Sequence, residues 1–226
     1  QSYGISFGFL PTALLALPFA IIITVIFSLL VDRYVFRFYR LKKSPPVTLA
    51  MVSIGVMFIM NAIVRIIIGP KDRRFFDGEK FIIKVKEFKN LTGLNEGLAI
   101  KSTQVITVCI TLLLVAILFW FLQRTRTGKS MRAFSDNEDL ALLSGINPDK
   151  VVLFTWLIVA ALATTAGVLY GLDKSFKPFT YFSILLPIFA SAIVGGIGSP
   201  IGAVVGGYVI AFSEIMVTYA YKKFFI

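Results

Sequence analysis

The chain has 226 residues, 57% of them apolar and 15% charged, with a mean hydropathy of +0.84 and a formal net charge of +11. A soluble domain keeps about a quarter of its residues charged, so a chain this apolar is solvated largely by lipid. It contains no histidine and one cysteine, which excludes Ser-His triads, histidine-ligated metals, histidine proton shuttles, internal disulfides and Cys-rich metal sites.

Five apolar blocks reach the roughly 20 residues that a bilayer span requires: 8–30, 47–69, 101–122, 151–172 and a Gly-interrupted stretch from 182 to 220. Five separate long blocks cannot be explained as targeting segments, since a signal peptide has a single apolar core of about 7–15 residues. Unbroken runs such as Ile21-Ile22-Ile23 and Thr111-Leu112-Leu113-Leu114 lack the alternation of barrel strands. The expected fold class is an all-α membrane protein, a polytopic helical bundle of about five full spans plus a Gly-broken or re-entrant helix, forming one transmembrane domain over 1–226.

The first block ends at Asp32-Arg33 and enters a basic connection with Arg37, Arg40, Lys42 and Lys43, which reads as cytoplasmic. Such loops meet anionic headgroups, and this accounts for 23 Lys and Arg against 12 acids without nucleic acid as a partner. Pro45-Pro46 stop any helix and launch the second span. That span leaves through Gly69-Pro70 into 70–100, a connection with seven basic and five acidic residues. The charge rule does not decide its side, and alternation places it outside. Within it, Lys80 to Phe88 reads as a short hairpin strand, and Asn90-Leu91-Thr92 matches an unspecific glycosylation pattern.

The third span, in which Cys109 reads as a small buried apolar residue, delivers the chain into a second basic connection, 123–150, with Arg124, Arg126, Lys129, Arg132 and Lys150. This too is expected to be cytoplasmic. The fourth span returns outward to a turn around Pro178. The last stretch, about 39 residues, is too long for one helix and short for two with a loop. Pro187 and the run Gly195-Gly196-Ile197-Gly198-Ser199-Pro200-Ile201-Gly202 mark the break. Non-helical backbone at membrane depth is tolerated only inside protein or along a watery cavity, so a permeation path or a tight helix interface is expected there.

Thr127-Gly128-Lys129-Ser130 resembles the end of a phosphate-binding loop, but position 123 is Gln where that motif needs Gly, and no strand precedes it. It reads as a basic juxtamembrane turn. Ser199 has no histidine or in-span lysine to act as its base, so no catalytic residue is assigned. Gly198, Gly202 and Gly206, and Gly167 with Gly171, are spaced for close helix packing. Arg65 and Glu214 are the in-span ionisable residues, each near a span end, and both are functional candidates. Spans without midplane carboxylates point to an external energy source. Ser135-Asp136-Asn137-Glu138 reads as a capping box opening a helix of about two turns that ends at Gly145. That helix either rests on headgroups or docks into another subunit.

The loop residues Arg126 to Ala133, Asp136-Asn137, Ala141 and Ser144-Gly145-Ile146-Asn147 resemble the cytoplasmic loop of permease subunits in branched-chain amino acid ABC importers. The likeness runs on through Asp32-Arg33, Ile54-Gly55 to Asn61, Gly69-Pro70, Ala166 to Leu169, Gly195 to Ser199, Gly202 to Gly207 and Glu214, in the family's order. The Asp-Asn pair is closer to the LivH type than to the LivM type. The resemblance implies half of a heterodimeric pore in a bacterial inner membrane, with a second permease subunit, two cytoplasmic ATPases carrying ATP and Mg, and a periplasmic binding protein. No cofactor or metal is expected on this chain itself. By position, residues 135–146 would form the ATPase-coupling helix, with Arg132, Ser135, Asp136, Asn137, Glu138, Ala141, Leu143, Gly145 and Ile146 at the contact. Asn61, Gly195, Gly196, Gly198, Ser199 and Gly202 would lie beside the translocation path.

The chain opens at Gln1 and closes at Ile226 just past a span, and it lacks the early spans and last helix of the family, so a fragment is expected. The functional expectation is a translocating subunit, not an enzyme, in an ATP-driven importer of branched-chain or related amino acids working by alternating access. The rivals are a sugar or nucleoside ABC permease and a passive channel or membrane scaffold.

Overall fold

In a computed structural model of the chain, the residues described are 12–69, 81–83, 100–173 and 183–225. In chain order they form α1 (Thr12–Val31), a π-helical turn (Asp32–Phe36), α2 (Arg37–Leu41), α3 (Pro46–Ile68), β1 (Phe81–Ile83) and β2 (Ile100–Lys101). These are followed by α4 (Ser102–Arg124), α5 (Arg126–Asp136), α6 (Glu138–Leu143), α7 (Pro148–Asp173), α8 (Leu185–Gly195) and α9 (Pro200–Phe225). Five helices are long and apolar enough to cross a membrane: Leu14–Leu41, Pro46–Ile67, Thr103–Arg124, Pro148–Asp173 and Pro200–Phe224. The protein is an all-α, multi-pass membrane protein with one two-stranded ribbon. Among the described residues the buried side chains are few, Ala141, Val151, Ala160, Leu169 and the polar Thr165, while side chains such as Phe19 and Ile66 point outward. In lipid that outward apolar surface needs no protein cover.

Two compact units divide the chain, Gln1–Ile66 with Asp72–Phe176, and Ile67–Lys71 with Lys177–Ile226. In the first, α1 packs along α7, and α5 packs on both α4 and α7. Helix ends account for most departures from the sequence reading. The connection after the first span is helical, because nothing between Asp32 and Ser44 is Gly or Pro. The helix widens at Asp32–Phe36, where the Arg37 N–H donates to the Asp32 carbonyl, and runs on to Leu41. Pro46 opens α3 as expected, with the Pro45 carbonyl accepting from Thr48 N–H at 3.0 Å. The fourth span starts at Pro148 rather than Val151, because Asn147 Oδ1 accepts from the Asp149 and Lys150 N–H groups at 2.9 and 3.3 Å.

Polar side chains inside the spans are satisfied locally. Thr24, Thr107, Thr155, Thr164 and Thr165 each donate to the carbonyl four residues back, at 2.7–2.8 Å. Cys109 is exposed on α4, not buried as expected, since a lipid-facing helix can present a thiol to hydrocarbon as readily as a methyl group. Strand β1 falls where a hairpin strand was expected, but it pairs antiparallel with Ile100–Lys101 at the start of α4. Residues 84–99, with Asn90, and the turn around Pro178 lie outside the described residues. The ribbon stands at the N-terminal end of α4, whose 23 residues rise about 35 Å to the other end.

In the second unit the long last block is broken as expected. Helix α8 has 11 residues, about 16 Å, which is short of a span. The backbone turns through Gly196 (φ 94°) and Gly198 (φ 97°), values that L-residues adopt only under strain. Ser199 caps α9, its Oγ accepting from Gly202 N–H at 3.1 Å, with Pro200 as the first helical residue. The two helices then approach backbone to backbone. A Cβ at Gly195 would overlap the Gly202 carbonyl, one at Gly202 the Gly195 carbonyl, and one at Gly206 the Ser191 carbonyl. At Gly207 a Cβ would meet nothing within 4 Å.

That contrast defines a test. Gly206→Leu is expected to lower the thermal midpoint of the purified protein in detergent, at an overpacking cost of about 1–3 kcal/mol. Gly207→Leu is expected to leave it unchanged. Equal midpoints for the two variants would refute the hairpin packing.

Candidate functional site

Between α4 and α7 the chain builds a compact element outside the spans. Thr125 ends α4 with an extended backbone, and its Oγ1 both donates to the Phe121 carbonyl at 2.7 Å and accepts from Gly128 N–H at 3.0 Å. This makes Thr125 the N-cap of α5. Gly128 is buried, and a Cβ there would overlap the Phe121 carbonyl and lie 2.7 Å from Leu122 Cα. Helix α5 is therefore seated on the last turn of α4 with no side chain between them. Thr127-Gly128-Lys129-Ser130, expected as a turn, is the first turn of this helix. Its exposed face carries Arg126, Lys129 and Arg132 in helical spacing, and Met131 and Phe134 are half-buried.

The capping box reading needs correction. Helix α5 continues through Ser135 to Asp136, and Asn137 is the N-cap of α6, its Oδ1 accepting from Leu140 N–H at 3.0 Å. Asparagine caps as well as serine does, so the motif had two candidate starts and the backbone uses the later one. The single helix expected over 135–146 is thus two helices meeting at an extended residue (φ −156°, ψ 105°). Glu138 and Asp139 occupy the first turn of α6, where negative charge suits the helix dipole.

The far end of α6 behaves as expected. Gly145 takes φ 79°, its N–H donates to the Leu142 carbonyl at 3.0 Å, and Ile146 N–H donates to the Ala141 carbonyl at 3.0 Å. This pair of bonds is a Schellman closure. Asn147 then caps α7 immediately, so α5, α6 and α7 follow one another with a single residue or a closed turn between them. Ala141 is buried, Ile146 half-buried, and Arg132, Ser135, Asp136, Asn137, Glu138 and Gly145 are exposed. Leu143 is 85% exposed, beside an exposed Leu140. Leu140 and Leu143 are thus exposed apolar side chains on a short helix with both ends closed.

The remaining sequence candidates are dispersed. Asn61 is half-buried on α3, its Nδ2 donating to the Met57 carbonyl at 3.3 Å, and Arg65 is exposed in the last turn of the same helix. Gly196, Gly198 and Ser199 are exposed in the break of the second unit, whereas Gly195 and Gly202 join Gly206 in the α8–α9 packing. Gly167 is half-buried and Gly171 buried on α7. Glu214, read as near the end of the last span, stands close to the middle of α9 because that helix continues to Phe225. It is exposed. No group of three or more metal-ligating side chains occurs among the described residues.

Sequence reasoning missed one cluster. Trp156 Nε1 donates to Asp32 Oδ1 at 2.7 Å, and Arg40 reaches both carboxylate oxygens, at 2.5 and 3.1 Å. Phe36 lies against the Trp156 ring, centroids 5.5 Å apart. The available signal was a single acid within a basic connection, but its tryptophan partner is 124 positions away.

The family described as branched-chain amino acid transport system, permease component, matches residues 2–225. The probable branched-chain amino acid transport permease protein LivH of Methanocaldococcus jannaschii is 34% identical over 169 residues, 75% of this chain and 50% of its own. The high-affinity branched-chain amino acid transport system permease protein LivH of Escherichia coli K12 is 30% identical over 202 residues, 87% of this chain and 62% of its own. The autoinducer 2 import system permease protein LsrC of Yersinia pestis is 28% identical over 108 residues, 45% of this chain and 31% of its own. The chain thus spans between half and about three-fifths of the length of the two LivH relatives. No solved structure matches.

The cap assignment separates two readings of α6. Asn137→Ala is expected to cost about 1 kcal/mol of local stability and to speed amide exchange at Leu140 and Ala141 roughly fivefold. Ser135→Ala is expected to leave both amides as they were. The reverse pattern would restore the capping box at Ser135.

Proposed function

Because the chain belongs to the family of permease components of branched-chain amino acid transport systems, we propose that it forms half of the membrane pore of an ATP-driven importer. The cargo is leucine, isoleucine, valine or a related amino acid or amide, moved by alternating access across a bacterial inner membrane. The observation that carries this reading is the family match over residues 2–225. The multi-pass helices and the doubly closed helix α6 support it.

In this reading the chain is a translocating subunit, not an enzyme. A second permease subunit completes the pore, a periplasmic binding protein delivers the solute, and two cytoplasmic ATPases bind ATP and Mg. Helix α6 is the coupling helix. Exposed Leu143 and Leu140 enter an apolar groove on an ATPase, while Arg132, Asp136, Asn137 and Glu138 supply polar contacts at its rim. Ala141, buried beneath, holds the helix against its own subunit. Helix α5 stands on α4 through Gly128, and α6 runs into α7 through the closed turn at Gly145, so displacement of this pair reaches two spans at once. Asn61 and the break at Gly195–Gly202 lie beside the path.

The likeness to LsrC keeps another solute class in the test. The complete transporter in proteoliposomes is expected to accumulate labelled leucine, isoleucine or valine only with ATP and binding protein present. Leu143→Asp combined with Gly145→Asp is expected to cut uptake at least tenfold and to weaken ATPase binding. Unchanged uptake would refute the coupling role of α6, and uptake of a sugar-like solute in place of amino acids would reassign the cargo.

A further inference from the structure

The contact between α1 and α7 carries one polar fastening that the coupling element does not account for. Asp32 lies at the start of a π-helical turn, and such turns recur at functional positions because they displace one helical register against the next. Its carboxylate side chain is 15% exposed and is shared between two helices: Trp156 of α7 donates to Oδ1 at 2.7 Å, while Arg40 of α2 spans both oxygens. Phe36, one turn on, lies on the Trp156 ring at 5.5 Å. Thr24 of α1 and Thr155, Thr164 and Thr165 of α7 bond to carbonyls of their own helices, whereas the Asp32–Trp156 bond crosses between α7 and the chain at the end of α1 and gives their contact a fixed register. Apolar burial has no preferred direction, whereas a charge-assisted bond has a geometry that is either made or lost.

Trp156 also occupies a particular place relative to α6. Asn147 caps α7 directly after the closed turn at Gly145 and Ile146, and Trp156 follows Pro148 by eight residues on an uninterrupted helix, a rise of about 12 Å. Motion of α6 reaches Trp156 through a rigid rod. From there Asp32 offers a direct hand-over to α1 and α2.

We infer that Asp32 is a positioning residue that, with Trp156 and Arg40, passes the displacement of the coupling helix from α7 to α1. The inference rests on the proposed transport function. The clamp holds α1 and α7 in one register during the stroke, so hydrolysis performed on the ATPases is converted to movement of both helices. Without it, α7 slides along the apolar face of α1, and ATP is hydrolysed with little solute moved.

The test uses the complete transporter in proteoliposomes and measures ATP hydrolysed per labelled amino acid imported. Asp32→Asn keeps the size and one acceptor but removes the charge that fixes Arg40, and Trp156→Phe keeps the ring against Phe36 while deleting the donor. Each is expected to raise that ratio at least fivefold with normal assembly. In a Trp120→Phe background, the emission of Trp156 is expected to shift on nucleotide binding, and the shift is expected to vanish with Asp32→Asn. An unchanged ratio, an equal fall in hydrolysis and uptake, or failure of both variants to assemble would make the clamp structural only and overturn the coupling role. A wild-type complex without ATP-dependent uptake of any amino acid would overturn the transport reading itself, and this role with it.

Discussion

Hydrocarbon offers backbone N–H and C=O groups no partner, so each must be satisfied within the chain. That requirement orders the structure. It makes the apolar blocks helical, sends the threonine hydroxyls back onto carbonyls of their own helices, and concentrates irregular backbone at places with explicit substitutes. At the α8–α9 break the substitutes are two glycines with positive φ and the Ser199 hydroxyl. Between α4 and α7 they are three side chains and one closed turn: Thr125, Asn137, Asn147 and the Gly145–Ile146 pair. A helix as short as α6, with six residues, is held at its start by the Asn137 side chain and at its end by the closed turn through Gly145 and Ile146.

The same closures make the region between α4 and α7 stiff. Flexible loops would absorb a push from a cytoplasmic subunit, whereas here α5 sits on the α4 carbonyls and α6 leads into α7 without slack. In the proposed coupling role, the apolar surface available to a partner here lies on α6, at Leu143, Leu140 and the less exposed Leu142. Stiffness within, and one adhesive point without, is the arrangement expected of a part that is moved rather than one that moves itself. The wide apolar exposure of α3, α4 and α9 fits a different property, that each is long and apolar enough to cross a membrane.

Much of this was legible in the sequence because membrane spans announce themselves by length and hydropathy. All five long blocks became helices, and Pro46, Gly145 and the break after Gly195 fell where local chemistry put them. What escaped were features fixed by geometry between distant residues or by choices among equivalent caps. Nothing in the sequence prefers Asn137 over Ser135 as the cap, and only the backbone at Asn137 decides. Helix α5 was hidden because Gly128 in its first turn looks like a turn residue, when its role is close contact with Phe121 and Leu122. The basic stretch after α1 reads as a connection between spans, but charge does not stop a helix, and this one runs on to Leu41. Asp32 and Trp156 are linked only through the packing of α1 on α7.

The hairpin of α8 and α9 has a bearing on how this chain tolerates change over generations. Gly195, Gly202 and Gly206 face backbone carbonyls that cannot rotate away as a side chain does, and every other amino acid brings a Cβ. No conservative replacement therefore exists at these three positions, since alanine and tryptophan fail for the same reason and differ only in degree. At exposed apolar positions of α3 and α4, such as Ile66 and Leu113, the added bulk of one apolar residue over another meets no backbone. Sequence drift in such a protein is thus channelled, free over most of the membrane surface and stopped at a few points where the chain touches itself.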